Sequence, residues 1–464
     1  MTTPASPSAD EVLQRAAALR GSFDRRFRDE TVSSLYAEAS RVAERATTRT
    51  TAGADLDRRI DRLVTSPVFG LPIMLLLLAT IFWLTVAGAN VPSALLAEAL
   101  FSIETRGVRL FEWSGLPWWV TGFVWNGVFR GLAWVVSVML PPMAIFFPLF
   151  TMLEDLGYLP RVAFNLDFLF RRAGAHGKQA LSMAMGFGCN AAGIIATRVI
   201  DSPRERLVAI LTNNFVPCNG RFPTLIMLAT IFVGAAFPPA AASFAAAGAV
   251  VGVVILGVIV TLAVSWALSR TVLRGEASAF TLELPPYRRP GVLRIIYTSL
   301  IDRTLFVLWR AMVTAAPAGA VIWLMANIHA GDASLAQHTA NALGPFGRAL
   351  GLDGAVLLAY IIAIPANEIV VPTLMMIYMG TGMMQDVTAL DDLRRVLVDE
   401  NGWTLLTAVN LMLFSLLHNP CATTILTIYR ETLSVRWAAL GALMPLSLAF
   451  IVTFLVATAW RWVL

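Results

Sequence analysis

Long apolar runs alternate with polar stretches along the chain. Residues 69–89 form a first run, long enough at 1.5 Å per residue to cross about 30 Å of hydrocarbon. Residues 91–119 are mixed and carry Trp113, Trp118 and Trp119, so they are predicted to lie at the membrane interface. A second span is expected within 125–152, bent near Pro141, Pro142 and Pro148. Residues 157–178 are amphipathic and basic, the pattern of a helix on a membrane surface. Further spans are predicted at 238–268 and 304–328, with a polar connection at 270–303 that holds Pro285, Pro286 and Pro290. A last span, 436–464, is anchored by Trp460 and Trp462.

Two apolar stretches carry what a plain spanning helix avoids. Within 181–230, Gly186, Gly188, Cys189 and Asn190 interrupt one run. Asn213, Asn214, Pro217, Cys218, Asn219 and Gly220 interrupt the next. Each reads as half-helix, break, half-helix. The pattern returns later. Residues 352–379 break at Pro365, Ala366 and Asn367, with Glu368 inside, and 403–429 break at His418, Asn419, Pro420 and Cys421. Between them lies a polar insert with Asp386, Asp391, Asp392, Asp399 and Glu400. Gly188-Cys189-Asn190 thus corresponds to Pro365-Ala366-Asn367, and Pro217-Cys218 to Pro420-Cys421. The predicted fold is an all-α polytopic membrane protein with two pseudo-repeated pairs of broken helices.

The first 64 residues differ from the rest. Residues 1–8 are rich in Ser, Thr and Pro; a helical pattern starts at Val12 with Asp10 as its cap, and another runs over 31–46. Many arginines place this segment in the cytoplasm, ahead of a transmembrane region over 65–464. Composition agrees: 57% of residues are hydrophobic and 14% charged, against about a quarter charged in soluble domains. Lys178 is the single lysine among many arginines, and no nucleic-acid module accompanies them. Three cysteines with no CxxC pair exclude a disulfide framework. No early apolar core marks a secretory signal.

A broken backbone at membrane depth leaves N–H and C=O groups unpaired, at several kcal/mol each in hydrocarbon. Breaks persist where protein or a polar path satisfies them, and in transporters paired broken helices mark the substrate site. A Cys and at least one Asn at each of the first two breaks suit a small soft or borderline solute. The plainer reading makes each Cys a small buried hydrophobe.

The residues then resemble a known family. LEDLGYLPRVAF (Leu153 to Phe164), HGK (His176 to Lys178), GFGCN (Gly186 to Asn190), ATR (Ala196 to Arg198) and RER (Arg204 to Arg206) are similar to the membrane region of the FeoB ferrous-iron transporters. PANEIVVPTL and LLHNPCATTILTIYRET resemble later segments of that family, and the likeness runs over about 55–464. It implies two gates, here 180–236 and 352–430, and ferrous iron as the transported substrate. It implies a multi-pass protein of the bacterial cytoplasmic membrane with a cytoplasmic N-terminus. The family normally begins with a G-protein domain. This sequence contains no G-x-x-x-x-G-K-[ST] loop, so it is expected to bind no nucleotide, to be no enzyme, and to work with a separate G protein and a small FeoA-like protein. A homo-oligomer is compatible with the resemblance; a nucleic-acid partner is not expected. The sequence departs from the family at Asn367, where a Lys is usual, and in its CNAAG and PCNGRFP wording.

Ferrous iron accepts N, O and S ligands. Cys189 and Cys218 offer sulfur; Asn190, Asn214 and freed carbonyls offer oxygen. Glu368 is the one acid placed deep in an apolar run, which marks it as functional unless it pairs with Arg198 or another buried Arg. His418 and Cys421 form a second cluster, or His418 caps a break. Met183 and Met185 are soft atoms near the first break, or packing. Glu154 and Asp155 at a span end read equally as a funnel admitting cations or as a helix cap meeting Arg161. Three functions remain: ferrous-iron permease, carrier of manganese or a nucleoside-like solute, and non-transporting membrane regulator.

Overall fold

A computed structural model describes residues 14, 25–46, 59–66, 68–275, 286–385 and 389–463. The helical start at Val12, Asp10, Pro285 and Asp386 lie outside the described residues. The chain divides into two units, Met1–Ile60 and Asp61–Leu464. The first holds helix α1 (Arg25–Ala46), whose described side chains are exposed apart from the half-buried Val32.

Among its described residues the second unit has seven helices long and apolar enough to cross a membrane. Two of them are α2 (Gly70–Trp113) and α3 (Trp118–Asp155); the amphipathic helix α4 (Tyr158–Arg172) and a hairpin of two short helices, α5 (Gln179–Gly188) and α6 (Asn190–Ala196), follow and are not among the seven. Next comes the broken crossing of α7 (Pro203–Thr212) and α8 (Phe222–Leu228), then α9 (Pro239–Arg270) and α10 (Val292–Asn327). A two-stranded ribbon leads into α11 (Leu335–Ala349). A second hairpin follows, α12 (Gly354–Ile362) and α13 (Val370–Met379), then the short α14 (Leu390–Arg394). A second broken crossing, α15 (Leu405–Leu417) and α16 (Ala422–Thr432), precedes α17 (Val435–Val463).

The two hairpins enter from opposite faces. At the mouth of α5/α6, Lys178 Nζ bonds Asp201 Oδ2 at 2.8 Å. Beside it, Arg198 forks onto Glu431 (3.0 and 2.6 Å) and Arg206 adds a third bond at 2.6 Å. Glu431 sits at the end of α16. At the mouth of α12/α13, Asp353 accepts the Tyr378 hydroxyl and the Trp403 indole N–H. Trp403 stands just before α15. Because α15 and α16 cross from Trp403 to Glu431, the mouths mark opposite ends of that crossing. The repeat read from the sequence is thus present with inverted direction, the arrangement of many transporters.

Local chemistry starts these elements. Ser202 caps α7 with Pro203 in its first turn, Asp353 caps α12, and a capping box at Thr404 opens α15. The breaks repeat in backbone angle. Cys189 has φ −153°, ψ 124° and Ala366 has φ −153°, ψ 120°. Cys218 and Cys421 are also extended, at φ −81°, ψ 169° and φ −63°, ψ 159°.

Two predicted boundaries are corrected. Residues 91–113 do not turn aside at the interface but continue α2, which runs 44 residues through Pro92, about 66 Å. Its second half is held to α3 by the Glu104–Arg130 ion pair (2.9 Å) and by Gly107, which leaves room for the Trp125 ring. Part of the polar connection, from Val292, is helical and begins α10.

α3 and α10 approach through glycines. A Cβ added at Gly319 would stand on the Gly127 carbonyl. Small residues of this kind allow close helix packing where no hydrophobic drive exists between helices. Gly319→Val should therefore destabilise the detergent-solubilised protein by about 1–3 kcal/mol, read as a lowered unfolding temperature. An unchanged temperature would show that this contact does not set the spacing.

Candidate metal-permeation site

The four breaks meet at one cavity in the middle of the bundle. Its polar wall is formed by Cys189, Asn190, Cys218, Asn219, Asn367, Glu368, Cys421, Thr423 and Thr424. α3 adds Met139 and Met143, and α10 adds Val307 and Ala311. Both hairpins and both broken crossings thus contribute, as the inverted repeat requires.

Extended residues at the breaks turn side chains toward this space. Cys189 is buried; Cys218 and Cys421 are half-buried, and all three are free thiols. Cys421 Sγ lies 3.2 Å from Thr424 Oγ1. Glu368, half-buried, has no ion pair among the described residues and rests against Gly220, where any Cβ would overlap its carboxyl group. The alternative pairing with Arg198 is overturned, because Arg198 binds Glu431. Among the described residues, no three of His, Cys, Asp and Glu stand close enough to hold one metal ion. The thiols and the carboxylate therefore border a space rather than close a cage. A permeating ion must leave as readily as it enters.

The amides tie the halves together. The Asn190 side-chain Nδ2 donates to the carbonyls of Gly186 (3.2 Å) and Val216 (3.3 Å), and Asn213 Nδ2 donates to the Asn190 carbonyl at 3.1 Å. In the second half, His418 Nε2 lies 3.3 Å from Asn367 Oδ1. Asn214 Nδ2 crosses between halves to the His418 carbonyl at 2.8 Å. Asn214 and His418 are buried behind the cavity wall and hold it in shape. His418 Nδ1 lies 2.9 Å from the Ser415 carbonyl and 3.1 Å from that of Phe414, so this ring caps the end of α15. It also packs edge-on against Tyr360.

Other sequence candidates fall elsewhere. Met183 and Met185 are buried in apolar clusters, while Met139 and Met143, not singled out by the sequence, face the cavity. Glu154 and Asp155 are exposed and do not line it; Asp155 Oδ2 accepts from the Gly291 N–H at 3.3 Å. Arg161 meets Asp61 instead, at 2.9 Å, under the ring of Tyr287. At the hairpin mouth, the Lys178 hydrogen bond holds the Asp201 carboxyl below the usual range.

Sequence reading missed Arg221. It is 1% exposed, yet it has no carboxylate partner among the described residues. Thr423, Thr424 and Asn219 were also missed, since hydroxyls and amides beside a break look like ordinary break residues.

Inverted broken-helix repeats around a central polar cavity define the architectural class shared by secondary transporters. The chain matches the family described as Gate, nucleoside recognition, over residues 136–232 and 308–434. It matches the C terminus of ferrous iron transport protein B over 250–302. It is 28% identical over 409 residues to the Fe(2+) transporter FeoB of Staphylococcus aureus strain MSSA476, covering 86% of this chain and 58% of that relative. It is 27% identical over 419 residues to the FeoB of Campylobacter jejuni, covering 86% and 65%. A fusion of Fe(2+) transport protein A with FeoB, from Porphyromonas gingivalis, is 28% identical over 446 residues, covering 86% and 51%. These matches make the chain similar to the membrane region of the FeoB family. It spans between about half and two thirds of the length of these relatives. No solved structure matches it.

The geometry predicts an order of thiol reactivity. A small, membrane-permeant thiosulfonate should modify Cys218 and Cys421 before Cys189, whose burial limits access. Modification of Cys189 first, tracked by mass spectrometry, would contradict the arrangement.

Proposed function

We propose that this chain carries ferrous iron across the bacterial cytoplasmic membrane through the central cavity. The observation that carries the reading is the meeting of three free thiols with a carboxyl group that has no ion pair among the described residues, where inverted helix breaks converge. Iron(II) accepts that mixture of sulfur and oxygen. The printed names of the relatives support the substrate.

The face that carries Arg198, Arg206 and Arg430 would be cytoplasmic by the positive-inside rule. The fused relative supports a small FeoA-like partner. A G protein would supply the energy, docking on residues 5–49, whose described part, α1, shows exposed charges of both signs. Such a surface suits a reversible polar interface.

Glu368→Gln should lower iron(II) uptake into proteoliposomes about tenfold, equal to about 1.4 kcal/mol of lost stabilisation, with little change in unfolding temperature. Full uptake by the folded variant would place the ion path elsewhere. Cys189→Ser keeps the volume and removes the softer donor. It should weaken uptake of iron(II) more than that of manganese(II), since sulfur favours the softer ion. Equal losses for both metals would make Cys189 a packing residue.

A further inference from the structure

Arg221 presents a problem that the permeation site does not explain. A guanidinium lies 1% exposed at membrane depth, without a carboxylate partner among the described residues. Its surroundings are backbone oxygens. Nη1 donates to the carbonyls of Asn214 (3.0 Å) and Leu416 (2.9 Å). Nη2 donates to Asn214 Oδ1 (3.1 Å) and to the carbonyls of His418 (3.3 Å) and Asn419 (3.4 Å). Nε, also buried, has no acceptor among the described residues.

These oxygens have a common origin. Asn214 follows the end of α7, and Leu416, His418 and Asn419 end α15 or follow it. They are carbonyls that two C-terminal half-helix ends release at their breaks, one from each inverted half. Such ends carry partial negative charge. In transporters with broken helices they are where a coupling sodium ion or proton is held. An alkali or alkaline-earth cation asks for several oxygens converging on one point. Here a side chain already takes them. The position that corresponds to Arg221 in the other half, three residues after Cys421, holds Thr424, so one guanidinium serves both breaks.

We propose that Arg221 is a built-in substitute for a coupling cation. It occupies the site where the half-helix ends would otherwise bind an alkali ion. Two consequences follow. The breaks stay satisfied without sodium or potassium, so metal passage needs neither. The carbonyl oxygens are also withdrawn from the cavity, whose remaining donors are the thiols, amides, hydroxyls and Glu368. Hard cations lose the ligands they need, and a softer ion keeps its own. Arg221 is thus a positioning residue for selectivity, and this consequence rests on the metal-carrier reading of the cavity.

Removal of the guanidinium should create an alkali-ion site. Purified Arg221→Gln should gain about 3 °C or more in unfolding temperature when choline chloride is replaced by sodium or potassium chloride. Wild type and Arg221→Lys, which keeps a cation in place, should show no such gain. Recovery of Arg221→Gln from detergent only when sodium or potassium is present would show the same dependence. A variant that is indifferent to the salt, or lost in every salt, would overturn the proposal, as would an equal gain in wild type. In proteoliposomes, wild-type iron(II) uptake should not change when external and internal sodium and potassium are replaced by choline. Collapse of uptake in choline would also overturn it. Absence of uptake in every salt would count against the carrier reading alone, and the stability comparison would still decide the role of Arg221.

Discussion

Hydrocarbon offers no hydrogen bonds, so every peptide group at membrane depth needs a partner from the protein. A permeation site needs the opposite, polar groups with spare capacity. The structure reconciles the two by breaking four helices at one level and letting the breaks satisfy each other. Asn190, Asn213, Asn214, Asn367 and His418 take up much of the freed capacity, and Arg221 takes more. What is left over faces the cavity. The inverted repeat follows from the same need, because half-helix ends arriving from opposite faces bring carbonyls and side chains to a shared centre.

Much of this was legible in the sequence because the breaks are written in residues that hydrocarbon-spanning helices avoid. Cys189 and Cys218 with Asn190, and Pro365, Pro420 and Cys421 later, located every break. The correspondence between Cys189 and Ala366 followed from spacing, and their backbone angles agree within a few degrees. Direction was not legible. A hairpin that enters from one face and a crossing helix have the same composition, so the inversion emerged only from which mouths share a partner.

Other failures have specific causes. The tryptophans at 113, 118 and 119 signal an interface, but the pairing of Glu104 with Arg130 is long-range and leaves no local trace. Arg221 sits in PCNGRFP, where a basic residue after a turn reads as a solvated helix start. Its burial depends on carbonyls from residues about 195 positions away. Glu154 and Asp155 read equally as an acidic funnel or a helix cap, and their exposure away from the cavity wall is compatible with either. Charge signals in a membrane sequence therefore identify depth poorly, whereas break signals identify it well.

α2 bears on how the protein and its bilayer fit together. At 44 residues it is about twice as long as the hydrocarbon layer is thick. Tilting alone would not hide it, since even a lean of about 40° leaves the helix some 50 Å tall along the membrane normal. Its outer half is nevertheless dressed in exposed Val91, Leu95, Ile103 and Leu110. The lipid must either swell around this flank or leave it to a neighbour. Local bilayer thickness then becomes a mechanical load applied to one side of the molecule, and lipid chain length becomes a variable that the helix transmits to α3 beside it.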